Sequence, residues 1–126
     1  MSANIEIVKQ IAKAFQSKDK EGFRSLLHDR YTFQGPVMQM SSPDEAAEYL
    51  SKCPMVATYQ NALYTSADDK VVQVFDWVVS EPFQETFRMC SVVTIKDGKV
   101  FREELIYDSA KFPKEFLEQM SQGNCS

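Results

Sequence analysis

Apolar residues Ile5, Val8, Ala12 and Phe15 recur at three- and four-residue spacing, which places them on one face of a helix from Ile5 to Phe15 with Asn4 as its N-cap candidate. Phe23, Leu26 and Leu27 repeat that spacing after Asp19, so a short second helix is expected, ending at His28-Asp29. Tyr31-Thr32-Phe33 has strand composition, and Gly35-Pro36 breaks it into a loop holding Met38 and Met40. In Ser42-Pro43-Asp44-Glu45 the serine suits an N-cap, the proline the first helical position and the glutamate a capping box; a third helix should run to about Cys53 and stop at Pro54.

The remainder reads mostly as strand. Thr58 to Thr65 and Val71 to Val79 flank the polar turn segment Ser66-Ala67-Asp68-Asp69, and Phe87 to Ile95 follows the break at Glu81-Pro82. Asp97-Gly98, whose residues both tolerate positive φ, predicts a tight hairpin into Val100 to Tyr107. Phe112, Phe116 and Met120 predict a C-terminal helix that Gly123 would end. No linker or repeat divides residues 1–126, so one domain is expected. Helices segregated to one side of a four-stranded antiparallel meander give an α+β class.

A chain of 126 residues buries roughly two thirds of its unfolded surface, enough for one core. Its net charge of −4 sets a repulsive field before a nucleic-acid backbone, so no nucleic-acid partner is expected. The apolar stretch Val71 to Val79 is broken by Gln73 and Asp76, and Asn4 and Glu6 stand where a secretory peptide would begin its apolar core. A cytoplasmic protein without membrane contact is expected. Cys53, Cys90 and Cys125 form no CxxC pair and read as reduced thiols; Asn124-Cys125-Ser126 spells a glycosylation acceptor only by chance. His28 is the single histidine, read as exposed at the end of helix two. Asp68-Asp69 and Glu103-Glu104 lack the loop of a calcium site, so neither metal nor cofactor is expected.

Three segments carry a resemblance across nearly the whole chain: Leu27 to Pro36 as a first strand, Ser42 to Leu50 as a third helix, and Asp97-Gly98-Lys99-Val100 through Tyr107-Asp108 as a closing hairpin. In pattern and spacing the chain resembles the nuclear transport factor 2-like superfamily, with its SnoaL-like polyketide cyclase and ketosteroid isomerase branches. The resemblance implies a cystatin-like cone, in which helices pack on a curved, mostly antiparallel sheet that encloses a pocket, and sheet-to-sheet homodimers. Aligned with steroid isomerase relatives, the positions of the catalytic acids and tyrosine hold Gly35, Ser91 and Phe15 here; aligned with epoxide hydrolase relatives, the acid positions hold Ser91 and Leu105. Glycine and phenylalanine supply neither a base nor an oxyanion donor, so neither machinery is expected.

Asp76 interrupts Val74-Phe75-Asp76-Trp77-Val78, where a carboxylate must be bonded, paired or raised in pKa. The alignment puts it on the pocket side near Ser91, with Val74 and Val78 beside it and Phe75 and Trp77 facing outward. Arg88 and Arg102 then have the opposite parity, and Asp76 is expected to lack a partner; the structural alternative is an acid paired with one of those arginines or at a solvated edge. Glu103 shares parity with Leu105 and Tyr107 and is the other candidate for a pocket acid. Its own alternative is a surface charge near the hairpin. Phe33, Met38, Tyr49, Met89, Ser91, Leu105 and Tyr107 are the expected ligand-binding set, since methionine and aromatic side chains suit flat or flexible apolar ligands as well as they fill cores.

Three functions fit these features: a pocket that binds a small apolar ligand, an isomerase, cyclase or hydrolase working through a pocket acid, and a protein-interaction module. Exposed Phe83, Phe112 or Phe116 would favour the third. Arg88, Cys90, Val92 and Thr94 beside Arg102, Glu104 and Ile106 give an outer face suited to a homodimer through the sheet.

Overall fold

The computed structural model describes residues 3–121, and the side chains of residues 3–118. Helix α1 (Ala3–Gln16) buries Val8, Ile11, Ala12 and Ala14, the stripe its apolar spacing dictates. Because α1 already runs from Ala3, Asn4 lies inside its first turn and is not the cap. Asp19 caps α2 (Lys20–Ser25), its carboxylate accepting from Gly22 N at 3.0 Å.

Helix α2 is shorter than its spacing predicts. Leu27 pairs with Val100, and the Leu26 carbonyl accepts from Val100 N at 2.9 Å, so the sheet takes backbone groups that another helical turn would need. Leu27 and His28 therefore open strand β1 (Leu27–Gln34). His28 is not an exposed helix end: its side chain is 16% exposed, Nε2 lies 3.3 Å from Asp97 Oδ2, and its ring stands edge-on to Phe101.

A two-residue strand β2 (Gln39–Met40), absent from the sequence reading, folds back on Phe33 and Gln34. Helix α3 (Pro43–Lys52) starts as expected, with Ser42 Oγ accepting from Glu45 N at 3.1 Å. The return arm of the box reaches one residue further out, Glu45 Oε1 accepting from Ser41 N at 2.7 Å.

Four long strands follow: β3 (Val56–Ala67), β4 (Lys70–Glu81), β5 (Glu85–Lys96) and β6 (Lys99–Ile106). Asp97 and Gly98 take φ of 55° and 74°, the paired positive values of a twist-matched hairpin turn. The sheet order is β2-β1-β6-β5-β4-β3, with β1 parallel to β6 and every other pair antiparallel. This is the expected α+β cone: a curled, six-stranded, mostly antiparallel sheet with helices packed on it, open between its edges β2 and β3. After β6 a single turn of 3-10 helix at Ser109–Lys111 leads to α4 (Lys114–Ser121), which buries Phe116 beside Phe112. The Met120 side chain, Gly123 and Cys125 lie outside the described residues.

The inner face of the sheet carries Phe75, Trp77, Phe87, Met89, Ser91 and Val93, all buried. On the outer face the register lines up Leu63, Val74, Cys90 and Ile106 in one row across β3 to β6. Asp76 and Arg88 form the neighbouring cross-strand pair.

Candidate functional site

Between the helices and the inner face of the sheet lies an open-mouthed cavity, with about 800 Å³ of empty space when counted out into solvent. It is lined almost wholly by apolar and aromatic side chains, as small-molecule sites usually are. Six of the seven residues expected to bind ligand line it: Phe33 from β1, Met38 from the β1–β2 loop, Tyr49 from α3, Met89 from β5, and Leu105 and Tyr107 from β6 and just beyond it. The seventh, Ser91, is 1% exposed and stands behind the wall.

Glu103 is the one charged side chain among the described residues of the lining. Strand period brings it there, because β6 turns Glu103 and Leu105 inward and Arg102, Glu104 and Ile106 outward. Ser91 Oγ donates to Glu103 Oε2 at 3.1 Å, and Tyr31 Oη donates to Oε1 at 3.3 Å. Burial pushes the Glu103 carboxyl above the ordinary glutamate value, and the two hydroxyl bonds offset part of that rise. Tyr31 is held well above the usual phenol range, first by burial and then by the nearby Glu103 charge. Tyr59 rises for the same two reasons in the same order, and burial alone pushes Tyr107 up to about 12. These phenols are neutral donors at physiological pH, arranged with one carboxylate among the described residues of an apolar chamber.

Asp76 is not in the cavity. Residues Phe75 and Trp77 take the inner face and Asp76 the outer one, the reverse of the sequence expectation. Both faces of this segment are apolar, so alternation alone does not choose between them; the bulkier rings fill the cone. Arg88 lies directly across from Asp76, not on the opposite face, and its Nη1 is 3.1 Å from Asp76 Oδ1. Asn61 Nδ2 donates to Asp76 Oδ2 at 2.9 Å from a bulge in β3, where Asn61 has φ of 53°. The Asn61 bond and then the Arg88 contact hold the Asp76 carboxyl below its ordinary value. A depressed carboxyl adds stability above its unfolded pKa and loses it as pH falls through the folded one. Asp76→Asn is thus expected to lower the melting temperature slightly at pH 8, with the difference shrinking as the medium is acidified, as paired thermal melts would record.

Ring residues Tyr59, Phe75 and Trp77 also line the cavity, and the sequence reading did not place them there; Phe15 joins them. Phe15 lies 6.5 Å from both Tyr59 and Trp77, and Tyr59 lies 4.7 Å from Phe75. For Phe75 and Trp77 the signal is the opposite charge of Asp76 and Arg88: pairing the two across β4 and β5 puts both on the outer face and the rings on the inner one. Phe15 and Gly35, at positions where steroid isomerases need catalytic groups, line the cavity without a polar side chain. Phe112 and Phe116 are buried, and Phe83 is half-buried among their rings, so these side chains form no exposed patch. Among the described residues, no group of three or more His, Cys, Asp or Glu could hold a metal ion. Nor is any helix among them long and apolar enough to cross a membrane.

The model of the SnoaL-like domain family matches residues 8–103. Solved structures share the fold. TerC, crystallised with polyporic acid, is 23% identical, with 93% of this chain and 99% of that one covered and a TM-score of 0.76. An LEH-like epoxide hydrolase from M. tuberculosis is 15% identical, with 84% and 83% covered and a TM-score of 0.75. A nuclear transport factor 2-like protein of unknown function from Cytophaga hutchinsonii is 14% identical, with 83% and 89% covered and a TM-score of 0.73. At these identities the likeness establishes the fold. No curated protein matches the chain in sequence.

Proposed function

The chain belongs to the SnoaL-like domain family, and from that premise we propose that it is a cytoplasmic small-molecule pocket protein, which takes an apolar ligand into the cavity and holds the ligand's polar group at Glu103. The observation that carries this reading is a lone carboxylate set in a chamber otherwise lined by rings, methionines and aliphatic side chains. Such a lining gains from desolvating an apolar ligand body, and one polar group fixes its orientation. The net charge of −4 argues against nucleic acid as the partner. Native mass spectrometry of the purified protein is expected to reveal a bound small molecule of a few hundred daltons or less. Loss of that adduct in a Phe33→Ala, Met89→Ala double variant would tie it to the cavity, whereas an unchanged adduct would place it elsewhere.

Acid–base catalysis is the second reading, favoured by the raised carboxyl of Glu103. A carboxyl shifted toward neutrality can both take and return a proton within the working pH range. On that reading an isomerase, cyclase or hydrolase step would use Glu103 as the proton carrier and Tyr31 as its hydrogen-bonded neighbour. A recovered ligand that the wild type converts and Glu103→Gln only binds would favour catalysis over storage or transport.

The outer face supports a homodimer. Leu63 and Ile106 are 65% and 52% exposed, and they end an apolar row completed by Val74 and Cys90. Asp76 and Arg88 flank the row on one side and Glu104 on the other, with Arg102 one row beyond, so a two-fold axis would cover apolar surface and pair charges at once. Sedimentation equilibrium at micromolar concentration is expected to give twice the chain mass of 14.4 kDa. A Leu63→Glu, Ile106→Glu variant should return it to the monomer; a wild-type monomer at that concentration sinks the dimer.

A further inference from the structure

We propose that the ligand of this cavity is a lipophilic amine bound as its ammonium cation, with Glu103 as counterion and the aromatic wall as the seat of its body. The proposal rests on the pocket reading above and narrows it to one chemical class. Three observations carry it. First, no lysine, arginine or histidine is among the described residues that line the cavity, so the Glu103 charge has no protein counterion there. Second, the hydroxyls of Ser91 and Tyr31 both point their hydrogens at this carboxylate, one to each oxygen, which leaves it an acceptor with lone pairs still free. An incoming donor that is itself charged makes the strongest bond to such a group. Third, the rings of Phe15, Tyr59, Phe75 and Trp77 stand together in the same wall, and aromatic rings attract cations while accommodating apolar bodies.

Charge logic separates this class from its competitors. A carboxylate or phenolate ligand would bring a second negative charge into a chamber of low dielectric beside Glu103 and be rejected. Neutral alcohols or ketones gain the same apolar burial but leave Glu103 either ionised without a counterion or obliged to bind a proton. An ammonium group removes that penalty, and its binding draws the Glu103 proton off, because an opposite charge favours the ionised acid. Groups facing Glu103 are Tyr31 from β1, Tyr59 from β3 and Ser91 from β5; Ile11 from α1 and Tyr49 from α3 complete the surrounding lining, with Tyr107 following β6. The titration of amine binding below neutrality therefore belongs to Glu103.

The test is a matched series with one aromatic body: naphthylmethylamine, naphthylmethanol and naphthoate, titrated calorimetrically into the full chain at pH 7.5 and again at pH 5. The amine is expected to bind at least about tenfold more tightly than the alcohol at pH 7.5, with naphthoate weakest, and its advantage should shrink at pH 5. In Glu103→Gln the amine should lose at least about tenfold while the alcohol keeps or improves its affinity. Alcohol binding equal to or tighter than amine binding in the wild type overturns the amine assignment and leaves the pocket reading intact. So does an amine affinity that Glu103→Gln does not change. If none of the three binds and no small molecule copurifies, the pocket reading falls and this inference falls with it. The wild-type comparison stands by itself should the variant fail to fold.

Discussion

Glu103→Gln should raise the melting temperature at pH 8, and the gain should shrink toward zero near pH 4. Below the unfolded glutamate pKa of about 4.3, the acid is protonated in both states and contributes no pH dependence. Burial raises the folded value, so between the two pKa values the unfolded chain releases its proton first and native stability falls as pH rises. Above the folded value the penalty is constant, at about 1.4 kcal/mol for each tenfold by which folding tightens the hold on the proton. Glutamine keeps the shape and can accept from one of the Tyr31 and Ser91 hydroxyls while donating to the other, so the substitution removes the charge without emptying the site. Paired melts of wild type and variant across pH 4 to 8 cancel the titration of every other carboxylate. A loss of stability of constant size at every pH would instead mean that the two hydroxyl bonds outweigh desolvation, and the site would then be a structural hydrogen-bond cluster.

Elements whose local chemistry leaves one solution were legible in the sequence. Ser42 and Pro43 start α3 by satisfying and omitting backbone donors, and Asp97-Gly98 takes the positive φ values that a two-residue turn requires. That hairpin fixes β5 against β6, which is why Met89, Leu105, Tyr107 and Glu103 face the cavity as their parity predicts. The readings that failed depend on partners distant in the chain. Leu27 and His28 carry helical spacing, yet pairing with β6 from the far end of the sequence makes them strand. The parity of β4 rests on register with β5, and a segment apolar on both faces holds no local information about it. A bulge between Gln60 and Leu63 then lets Asn61 reach Asp76 from β3, a contact invisible to strict alternation. The same loss of local information hid the pairing of Tyr31 with Glu103, which arises only from the parallel contact of β1 with β6.

Phe87→Ala is expected to cost about 3–5 kcal/mol, a large share of the roughly 5–15 kcal/mol that holds a domain of this kind together. Phe87 is 1% exposed and sits on the inner face of β5 opposite Trp77. Four rings surround it: Phe112 at 4.4 Å, Trp77 at 6.0 Å, Tyr107 at 6.1 Å and Phe83 at 6.4 Å. Alanine would remove the ring that joins the sheet to the segment after β6, so Phe112 and its stacked neighbour Phe116 would lose their floor. The neighbours belong to a strand and to three separate connecting segments that cannot all close on one void, so the cavity term adds to the lost transfer energy. Phe33 makes the contrast. It lines the open cavity and already has empty space on one side, so Phe33→Ala should cost clearly less stability while weakening ligand binding. Urea unfolding of both variants, read by the single tryptophan, Trp77, separates the two roles. Should Phe87→Ala cost no more than Phe33→Ala at an unchanged denaturant slope, the aromatic cluster around Phe87 is not the clamp that holds the C-terminal segment over the end of the cone.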